Sequence, residues 1–277
     1  MKTVKKILIF SLGFAFLFAF AVLGFQKPVS AFAKTTSAKA TCVIDVESGE
    51  ILFAENENAH IPMASTTKIL TAIIIIENMD LSQKIKVGNN AVGVEGSSIY
   101  LKKDEEIAVI DLLYGLMLRS GNDSAVALAI SCAGSVESFA KMMNEKAKQI
   151  GAVSSSFVNP HGLDDENHFT TAKDLALISA YAMKNEIFRK IVSTKMHVVP
   201  STNVSDVRYL QNKNKLLSSF DGACGIKTGY TKKTGRCLVS AAEREGKTLV
   251  CVVLSCPNMW EDSKNLLNFC FDKIKKQ

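Results

Sequence analysis

Strand-like segments lie at both ends of this chain, and a long helical stretch lies between them. Near the amino terminus, two short apolar runs at 41–46 and 51–55 flank a turn-forming Glu-Ser-Gly at 47–49, a pattern typical of a β-hairpin. Strands that are segregated from helices, rather than alternating with them, predict an α+β fold. The later segments with strand character are 223–229, 236–242 and 247–254.

The middle of the chain has helical periodicity, interrupted by Gly, Asn, Pro and Ser. One helix is predicted to begin near Ser65 and to carry the apolar run 69–76, whose four consecutive isoleucines leave no polar face and predict burial on most sides. A closing amphipathic helix at 266–274 is expected to pack on its own sheet, with a membrane surface as the alternative. The other expected helices are 111–119, 123–132, 136–150 and 171–183, and a loop is expected at 159–163.

The amino terminus has the pattern of an export signal. Lys2, Lys5 and Lys6 precede an apolar run from 7 to 25, and Ala-Phe-Ala at 31–33 is a small-x-small cleavage pattern. We expect cleavage after this tripeptide, so that residues 1–33 form a signal peptide; a retained membrane anchor is the alternative. In either case the rest of the chain is expected to act outside the cytoplasm, secreted or at the membrane surface.

Composition argues against several classes of protein. The net charge of +6 owes much to the leader, and no run of Lys and Arg with interleaved aromatics suggests a nucleic-acid partner. The cysteine count of seven is odd, and Cys42, Cys237 and Cys251 lie in apolar stretches, which favours buried free thiols over a disulfide framework. The histidine and cysteine spacings match no metal site, so we expect neither a metal nor a cofactor.

Three short motifs carry the chemistry: Ser-Thr-Thr-Lys at 65–68, Ser-Gly-Asn at 120–122 and Lys-Thr-Gly at 227–229. Together they supply a hydroxyl nucleophile, an amine base, a relay hydroxyl and a cationic strand. These groups are sufficient to acylate and deacylate a serine without a metal or a histidine. Each motif is weak alone, and the order of all three is the specific signal.

The first motif places a serine and a lysine on one face of a helix start. Residues three apart on a helix are neighbours, so Lys68 can accept the proton of Ser65. A lysine with its ordinary pKa near 10.4 is a poor base, and burial together with a nearby Lys227 is expected to lower that pKa. The same pattern recurs at Ser138 and Lys141, but inside a predicted helix, where the serine is expected to be merely exposed.

The second motif is expected at a bend between two helices. There Ser120 could pass a proton between Lys68 and the leaving amine, and the Asn122 amide could hold the peptide backbone of the substrate. Alternatively, Asn122 only caps the following helix.

The third motif occurs twice. The copy at 227–229 ends a strand-like stretch and is expected on an edge strand, where Lys227 and Thr228 would bind a carboxylate and Gly229 would let the substrate backbone approach. The copy at 233–235 is expected in a turn, with a solvated lysine pair.

With these motifs, the chain resembles the serine-type D-alanyl-D-alanine carboxypeptidases of the low-molecular-mass penicillin-binding proteins. The resemblance implies a β-lactamase/transpeptidase-like α+β fold, with a five-stranded antiparallel sheet flanked by helices and a helical subdomain. The length of the chain favours a single catalytic domain at 34–277. Many relatives carry a further β-rich domain after the catalytic domain, and we expect none in this sequence. The matching segments are 62–68, 95–98, 120–125, 159–163, 170–176, 212–217 and 225–231.

The resemblance also assigns roles. It makes Ser65 the nucleophile, Lys68 the base and Ser120 the relay. Backbone N–H groups of Ser65 and Tyr230 would form the oxyanion hole, although some relatives carry histidine at the tyrosine position. The substrate-binding residues would be Asn122, Lys227, Thr228, Gly229 and Tyr230.

The implied activity is removal of the terminal D-alanine from peptidoglycan stem pentapeptides, with β-lactams as inhibitors that acylate Ser65. Membrane contact is expected only through the leader or weakly through the C-terminal helix. A β-lactamase would share the fold, but Glu166 is followed four residues later by Thr170 where those enzymes carry asparagine, and Gly121 replaces their usual aspartate. The sequence also leaves open a DD-endopeptidase and a non-catalytic cell-wall-binding protein.

Overall fold

A computed structural model describes residues 36–276 of the chain. The expected leader lies outside the described residues, so the signal peptide stays a prediction. The strands are β1 (Ala40–Asp45), β2 (Ile51–Glu55), β3 (Lys84–Lys86), β4 (Glu106–Ala108), β5 (Met196–Val199), β6 (Arg208–Gln211), β7 (Ala223–Thr231), β8 (Gly235–Arg244) and β9 (Lys247–Leu254). The helices are α1 (Lys68–Asn78), α2 (Val109–Tyr114), α3 (Asn122–Ala133), α4 (Val136–Ile150), α5 (Ala172–Met183), α6 (Glu186–Ser193), α7 (Leu216–Ser219) and α8 (Met259–Ile274).

One antiparallel sheet joins the two ends of the described chain. Its strand order is β2-β1-β9-β8-β7, so the amino-terminal hairpin is completed by the last three strands. β1 pairs with β9 in a register that sets Cys42 opposite Val252. The α+β class and the five-stranded antiparallel sheet are therefore confirmed, and β7, which carries Lys-Thr-Gly at 227–229, is an edge strand as predicted.

The apolar pattern of each element explains which face it buries. The isoleucine helix α1 is buried along 68–75, as predicted, and packs against α3, α4 and α5. The main core lies between these helices and one face of the sheet. Burial stabilises the folded state by about 25 cal/mol per Å² of apolar surface. This fully buried helix therefore contributes much of the stability of the helical layer.

The closing helix α8 covers the opposite face of the sheet. Leu266, Leu267 and Phe271 are buried against sheet residues that include Val43 and Leu249. This confirms the prediction that the helix packs on its own sheet. Within residues 36–276 no single helix is long and apolar enough to cross a bilayer; α3 and α4 reach that length and hydropathy only as a pair, bent by 84°.

The cysteines behave as small apolar residues. All seven lie in the described part of the chain, and all seven are free thiols. Cys42, Cys237 and Cys251 are fully buried, and burial raises the pKa of Cys237 to about 12. The interpretation as buried free thiols is therefore confirmed for these three, whereas Cys132 and Cys224 are only partly buried.

Candidate active site

The first motif forms a tight turn directly before the buried helix. A 3₁₀ turn spans Ala64–Thr67, and Ala64 has a positive φ of 48°. The Thr66 hydroxyl donates to Met63 O at 2.6 Å, and the Thr67 hydroxyl donates to Ala64 O at 2.8 Å. These two hydroxyls tie the turn to its own backbone and leave the half-buried Ser65 at the wall of a cavity.

Lys68 is the first residue of α1, and its side chain is completely buried. Its Nζ lies 3.0 Å from Ser65 Oγ, 2.7 Å from Asn122 Oδ1 and 2.6 Å from His161 O. The two carbonyl oxygens can only accept hydrogen bonds, so they take both N–H groups of an uncharged amine. The remaining lone pair then faces the Ser65 hydroxyl, which is the arrangement that a general base requires.

The electrostatics of the site favour the uncharged amine. Burial lowers the pKa of Lys68 well below its ordinary value, and the positive charges of Lys227 and then Lys213 lower it further, against a smaller opposing effect of Asp123. Burial and Lys213 likewise lower the pKa of Lys227 to about 7. The expectation that burial and Lys227 would lower the pKa of Lys68 is confirmed, and Lys213 is an additional cation that was not predicted.

Ser120 lies at the bend between the helical segments, as predicted. It follows a single π-helical turn, Gly115–Arg119, and has the left-handed φ of 66°. It lines the same cavity of about 320 Å³ as Ser65. Its hydroxyl makes no hydrogen bond within residues 36–276, so its proton and lone pairs are available to a bound molecule.

Asn122 contacts Lys68, which was not predicted. Its amide oxygen accepts from Lys68 Nζ, and its amide nitrogen donates to Glu95 O at 2.6 Å. The side chain is 4% exposed, and a β-carbon on Gly96 would lie 2.7 Å from its amide nitrogen. The amide oxygen and one of the two amide N–H groups thus hold the amine of Lys68 in place, and binding of a substrate backbone through the second N–H stays a prediction.

The first Lys-Thr-Gly copy packs directly on the serine turn. A β-carbon on Gly229 would lie 3.0 Å from Met63 O and 3.2 Å from Ser65 N. The absence of a side chain at Gly229 therefore lets β7 pack closely on the serine turn, in addition to the predicted approach of a substrate backbone. Lys227 is 2% exposed and donates to Thr228 O at 2.9 Å, whereas Tyr230 is 64% exposed at the cavity.

The second Lys-Thr-Gly copy lies in the turn between β7 and β8, with Lys233 exposed, as expected.

Sequence reasoning missed several residues of the cavity wall because their segments carry no motif of their own. Lys213, which donates to Ser97 Oγ at 3.1 Å, lies in a segment that the sequence identifies only by resemblance. The other residues that were not predicted are Ser97, Arg236, Met259 and Trp260.

The predicted loop at 159–163 packs against the start of α1. His161 O accepts a hydrogen bond from Lys68 Nζ, and Pro160 O accepts one from the Thr71 hydroxyl at 2.7 Å. His168 Nδ1 accepts from Val158 N–H, so its Nε2 carries the proton and donates to Thr67 Oγ1 at 2.8 Å. Both histidines thus support the turn by hydrogen bonds, one through its backbone and one through its ring.

These histidines predict acid sensitivity. Burial lowers the pKa of His161 to about 3 and that of His168 to about 4. Below pH 6.5 the unfolded chain therefore binds protons that the folded chain does not, so stability is complete near pH 7 and falls as the pH drops toward 4. The expected loss in free energy of unfolding between pH 7 and pH 5 is about 2 kcal/mol for each histidine.

Urea unfolding at the two pH values measures this loss. His168→Gln keeps the donor toward Thr67 and is expected to remove about half of the pH dependence, with the same substitution at the exposed His60 as the matched control. An equal pH dependence in the wild type and in His168→Gln would contradict the assignment.

Within the described chain, no group of three or more His, Cys, Asp or Glu side chains is arranged to hold a metal ion. The cavity walls instead carry hydroxyl groups, two cations and an apolar pair, Met259 and Trp260. The arrangement can therefore activate one serine hydroxyl through an uncharged amine and bind an anionic group beside it.

Known proteins are similar to this chain over most of its length. The sequence pattern of the D-alanyl-D-alanine carboxypeptidase family matches residues 27–258. The D-alanyl-D-alanine carboxypeptidase DacF of Bacillus subtilis is 33% identical over 246 residues, which cover 86% of this chain and 63% of DacF. This chain thus spans less than two thirds of the length of that relative.

Two findings concern a Streptomyces protein of similar length. The D-alanyl-D-alanine carboxypeptidase of Streptomyces sp. strain K15 is 32% identical, over 92% of this chain and 94% of the relative. The crystal structure of the Streptomyces K15 DD-transpeptidase superposes with a TM-score of 0.81 at 32% identity, covering 86% of this chain and 98% of that one.

Proposed function

Because this chain belongs to the D-alanyl-D-alanine carboxypeptidase family, we propose that it removes the terminal D-alanine from peptidoglycan stem pentapeptides through an acyl-enzyme on Ser65. One observation carries the proposal: the Lys68 amine, with both N–H groups engaged by carbonyl oxygens, lies 3.0 Å from Ser65 Oγ. No other described serine has this arrangement. Ser138 of the look-alike motif is exposed on α4.

The first half-reaction forms the acyl-enzyme. Lys68 takes the Ser65 proton as Oγ attacks the carbonyl carbon of the penultimate D-alanine. Backbone N–H groups of Ser65 and Tyr230 are assigned to the resulting oxyanion. The close approach of β7 to the serine turn at Gly229 supports this assignment, because it brings the two backbone segments together.

The first half-reaction ends when Ser120, whose hydroxyl is unengaged within residues 36–276, carries the proton from Lys68 to the amine of D-alanine as the scissile C–N bond breaks. The second half-reaction restores the serine. Lys68 takes a proton from a water molecule as the water oxygen attacks the ester carbonyl, and it gives that proton to Ser65 Oγ as the ester C–O bond breaks. One amine thus serves as base in both steps, which requires that its pKa stay low in the acyl-enzyme.

Substrate binding is assigned to β7 and to the cations beside it. Thr228 and Lys227 face the terminal carboxylate of the substrate, and a bound carboxylate would favour the charged form of Lys227, whose pKa burial lowers to about 7. Asn122 positions Lys68 through its hydrogen bonds to Lys68 and to Glu95 O, and its second amide N–H is assigned to the substrate backbone.

The substrate class also suggests where the protein works. Peptidoglycan lies outside the cytoplasm, so we propose that residues 1–33 direct export and that residues 34–277 act as one catalytic domain at the cell wall, with β-lactams as inhibitors. Whether the leader is cleaved or retained as an anchor can be read from the amino-terminal residue of the protein recovered from the cells that express it.

The function is tested by D-alanine release and by penicillin labelling. The wild type is expected to release D-alanine from diacetyl-Lys-D-Ala-D-Ala, and intact-protein mass spectrometry is expected to show one covalent adduct of benzylpenicillin. Ser65→Ala should abolish both, and Ser138→Ala, the matched control, should keep both. No adduct on the wild type, or an undiminished adduct on Ser65→Ala, would refute the proposal.

Two further reactions of the same acyl-enzyme are distinguishable. The Streptomyces K15 structure is that of a DD-transpeptidase, and transfer to an amine would appear as a new peptide product when glycine is added as acceptor. β-Lactam hydrolysis would appear as fast nitrocefin turnover. It is disfavoured because Glu166 is exposed and Thr170 stands where an asparagine would be needed.

A further inference from the structure

One wall of the catalytic cavity carries three side chains that take no part in the proposed chemistry: Arg236, Met259 and Trp260. Arg236 lies on β8 directly opposite Tyr230 of β7, and the other two are the first residues of α8. Alternate residues of a strand share a face, so Arg236 lies on the face of β8 that Leu238 buries under α8. The strand and the helix thus bring one cation and an apolar pair together beside the serine.

The direction of β7 relates this wall to the substrate, a step that rests on the proposed function. Thr228 is assigned to the terminal carboxylate, and the backbone N–H of Tyr230 is assigned to the oxyanion. Along β7 the substrate therefore runs from its carboxyl end at Thr228 to the scissile carbonyl at Tyr230, and its earlier residues lie beyond Tyr230. A strand advances about 3.3 Å per residue, so the residue before the penultimate D-alanine lies within about 7 Å of the scissile carbonyl.

The guanidinium of Arg236 is free to bind an anion. The side chain is exposed and forms no ion pair within residues 36–276, and none of the described residues that line the cavity is an Asp or a Glu. Two carboxylates on neighbouring segments are engaged elsewhere. Asp164 accepts from the hydroxyls of Thr231 and Thr234 at 2.9 and 3.3 Å, and Asp262 accepts two hydrogen bonds of 2.7 Å from the chain before β1. A guanidinium stays charged and can bind a carboxylate through two hydrogen bonds.

The apolar pair adds a second preference. Met259 is buried and Trp260 is half-buried, and both line a cavity whose other walls carry hydroxyl and charged groups. Apolar surface of this kind favours methylene groups, each of which contributes about 0.8 kcal/mol when it is fully buried. The wall as a whole therefore fits a side chain that has an apolar stem and an anionic end.

We infer that Arg236, Met259 and Trp260 form the subsite for the side chain of the residue before the penultimate D-alanine, and that this subsite favours a chain of methylenes ending in a free carboxylate. An amide in place of the carboxylate loses the charge-assisted hydrogen bonds, and an ammonium group is repelled by the guanidinium. Among stem peptides, those with a free side-chain carboxylate at the third residue are therefore preferred over those in which this side chain ends in an amine or an amide.

The test uses two substrates that differ in charge but hardly in shape. One probe is acetyl-L-2-aminopimelyl-D-Ala-D-Ala with a free side-chain carboxylate, and the other is the same peptide with that carboxylate amidated. The measured quantity is the ratio of their kcat/KM values for D-alanine release. The wild type is expected to prefer the carboxylate about 5-fold at low ionic strength. Taking the ratio cancels general effects of a substitution on catalysis.

Variants of the hairpin locate the effect. Arg236→Gln is expected to bring the ratio to about one, and Arg236→Lys, which keeps the charge but loses the paired hydrogen bonds, to about 2. Lys232→Gln is the matched control, because it removes one positive charge from the same hairpin at a position that does not line the catalytic cavity. It should keep the wild-type ratio. Both side chains are exposed, so these substitutions leave the core intact.

A third probe tests the apolar pair. It carries L-alanine in place of the aminopimelyl residue and therefore has no stem to bind. Trp260→Ala is expected to lower kcat/KM for both aminopimelyl probes by about 3-fold relative to the alanine probe, since the stem loses part of its apolar contact. The carboxylate-to-amide ratio should stay at the wild-type value. An unchanged preference for the aminopimelyl probes over the alanine probe would contradict the role of Trp260.

The outcomes separate this inference from the proposed function. D-Alanine release from diacetyl-Lys-D-Ala-D-Ala and labelling by benzylpenicillin are measured on the same wild-type preparation, and the absence of both would overturn the proposed function together with the subsite. If both are present but the wild-type ratio is one or less, only the subsite inference fails. It also fails if Arg236→Gln keeps the wild-type ratio, or if Lys232→Gln lowers that ratio as much as Arg236→Gln does.

Discussion

Lys68→Arg is expected to lower kcat/KM for D-alanine release by about 1,000-fold or more, because the variant puts a permanent cation in the place of the uncharged base. A guanidinium is not deprotonated in proteins, so it has no lone pair to offer Ser65. General base catalysis contributes about 10²- to 10⁴-fold, and the site is too tightly packed around Nζ for the larger head group. The measurement is steady-state D-alanine release together with the second-order rate constant of acylation by benzylpenicillin.

The look-alike motif provides the control. Lys141→Arg makes the same exchange at an exposed position of α4 and should leave both rates within about 2-fold of the wild type. Circular dichroism and urea unfolding verify that Lys68→Arg is folded. A folded Lys68→Arg with acylation within 10-fold of the wild type would show that another group removes the serine proton.

Gly162→Ala is expected to lower the free energy of unfolding by about 3 kcal/mol or more and the acylation rate by about 100-fold. Gly162 has a positive φ of 87°, and a β-carbon there would lie 1.9 Å from Ala64 O and 2.8 Å from Thr67 Oγ1. The added methyl group must push the loop away from the serine turn. That movement also withdraws His161 O, one of the two oxygens that hold Lys68.

Gly151→Ala is the control that distinguishes the cost of backbone strain from the cost of the steric clash at Gly162. It has nearly the same φ, 92°, but nothing lies within 4 Å of an added β-carbon. Gly151→Ala should therefore lose only about 1 kcal/mol, the cost of the left-handed conformation, and keep its acylation rate. Equal losses of stability and equal acylation rates in the two variants would contradict the role assigned to the contact between Gly162 and the serine turn.

Several elements were predictable because their signal is local. The hairpin of β1 and β2, the isoleucine helix α1 and the strands β7 to β9 all carry a clear hydrophobic period bounded by turn residues. The predicted boundaries differ from the observed ones by only a few residues. For example, the strand expected at 223–229 extends to Thr231, since β8 continues the pairing.

Other elements had no such signal. The ribbons β3–β4 and β5–β6 have strands of three or four residues, too short for a period to be recognised. Long-range contacts stabilise them instead: the buried Glu105 carboxylate accepts from Arg208, 103 residues away, at 2.6 Å. Burial by itself would raise the pKa of Glu105, but its hydrogen bonds, first of all from Arg208, outweigh this effect and lower it.

The sequence by itself determined the α+β class and the order of the three motifs, and it predicted the serine and the amine that serves it. Only the tertiary structure decided that Asn122 holds Lys68 and that Lys213 and Arg236 line the same cavity. The physical reason is that periodicity and helical spacing act between near neighbours in the chain. Desolvation, charge repulsion and steric fit instead depend on side chains that meet only after folding.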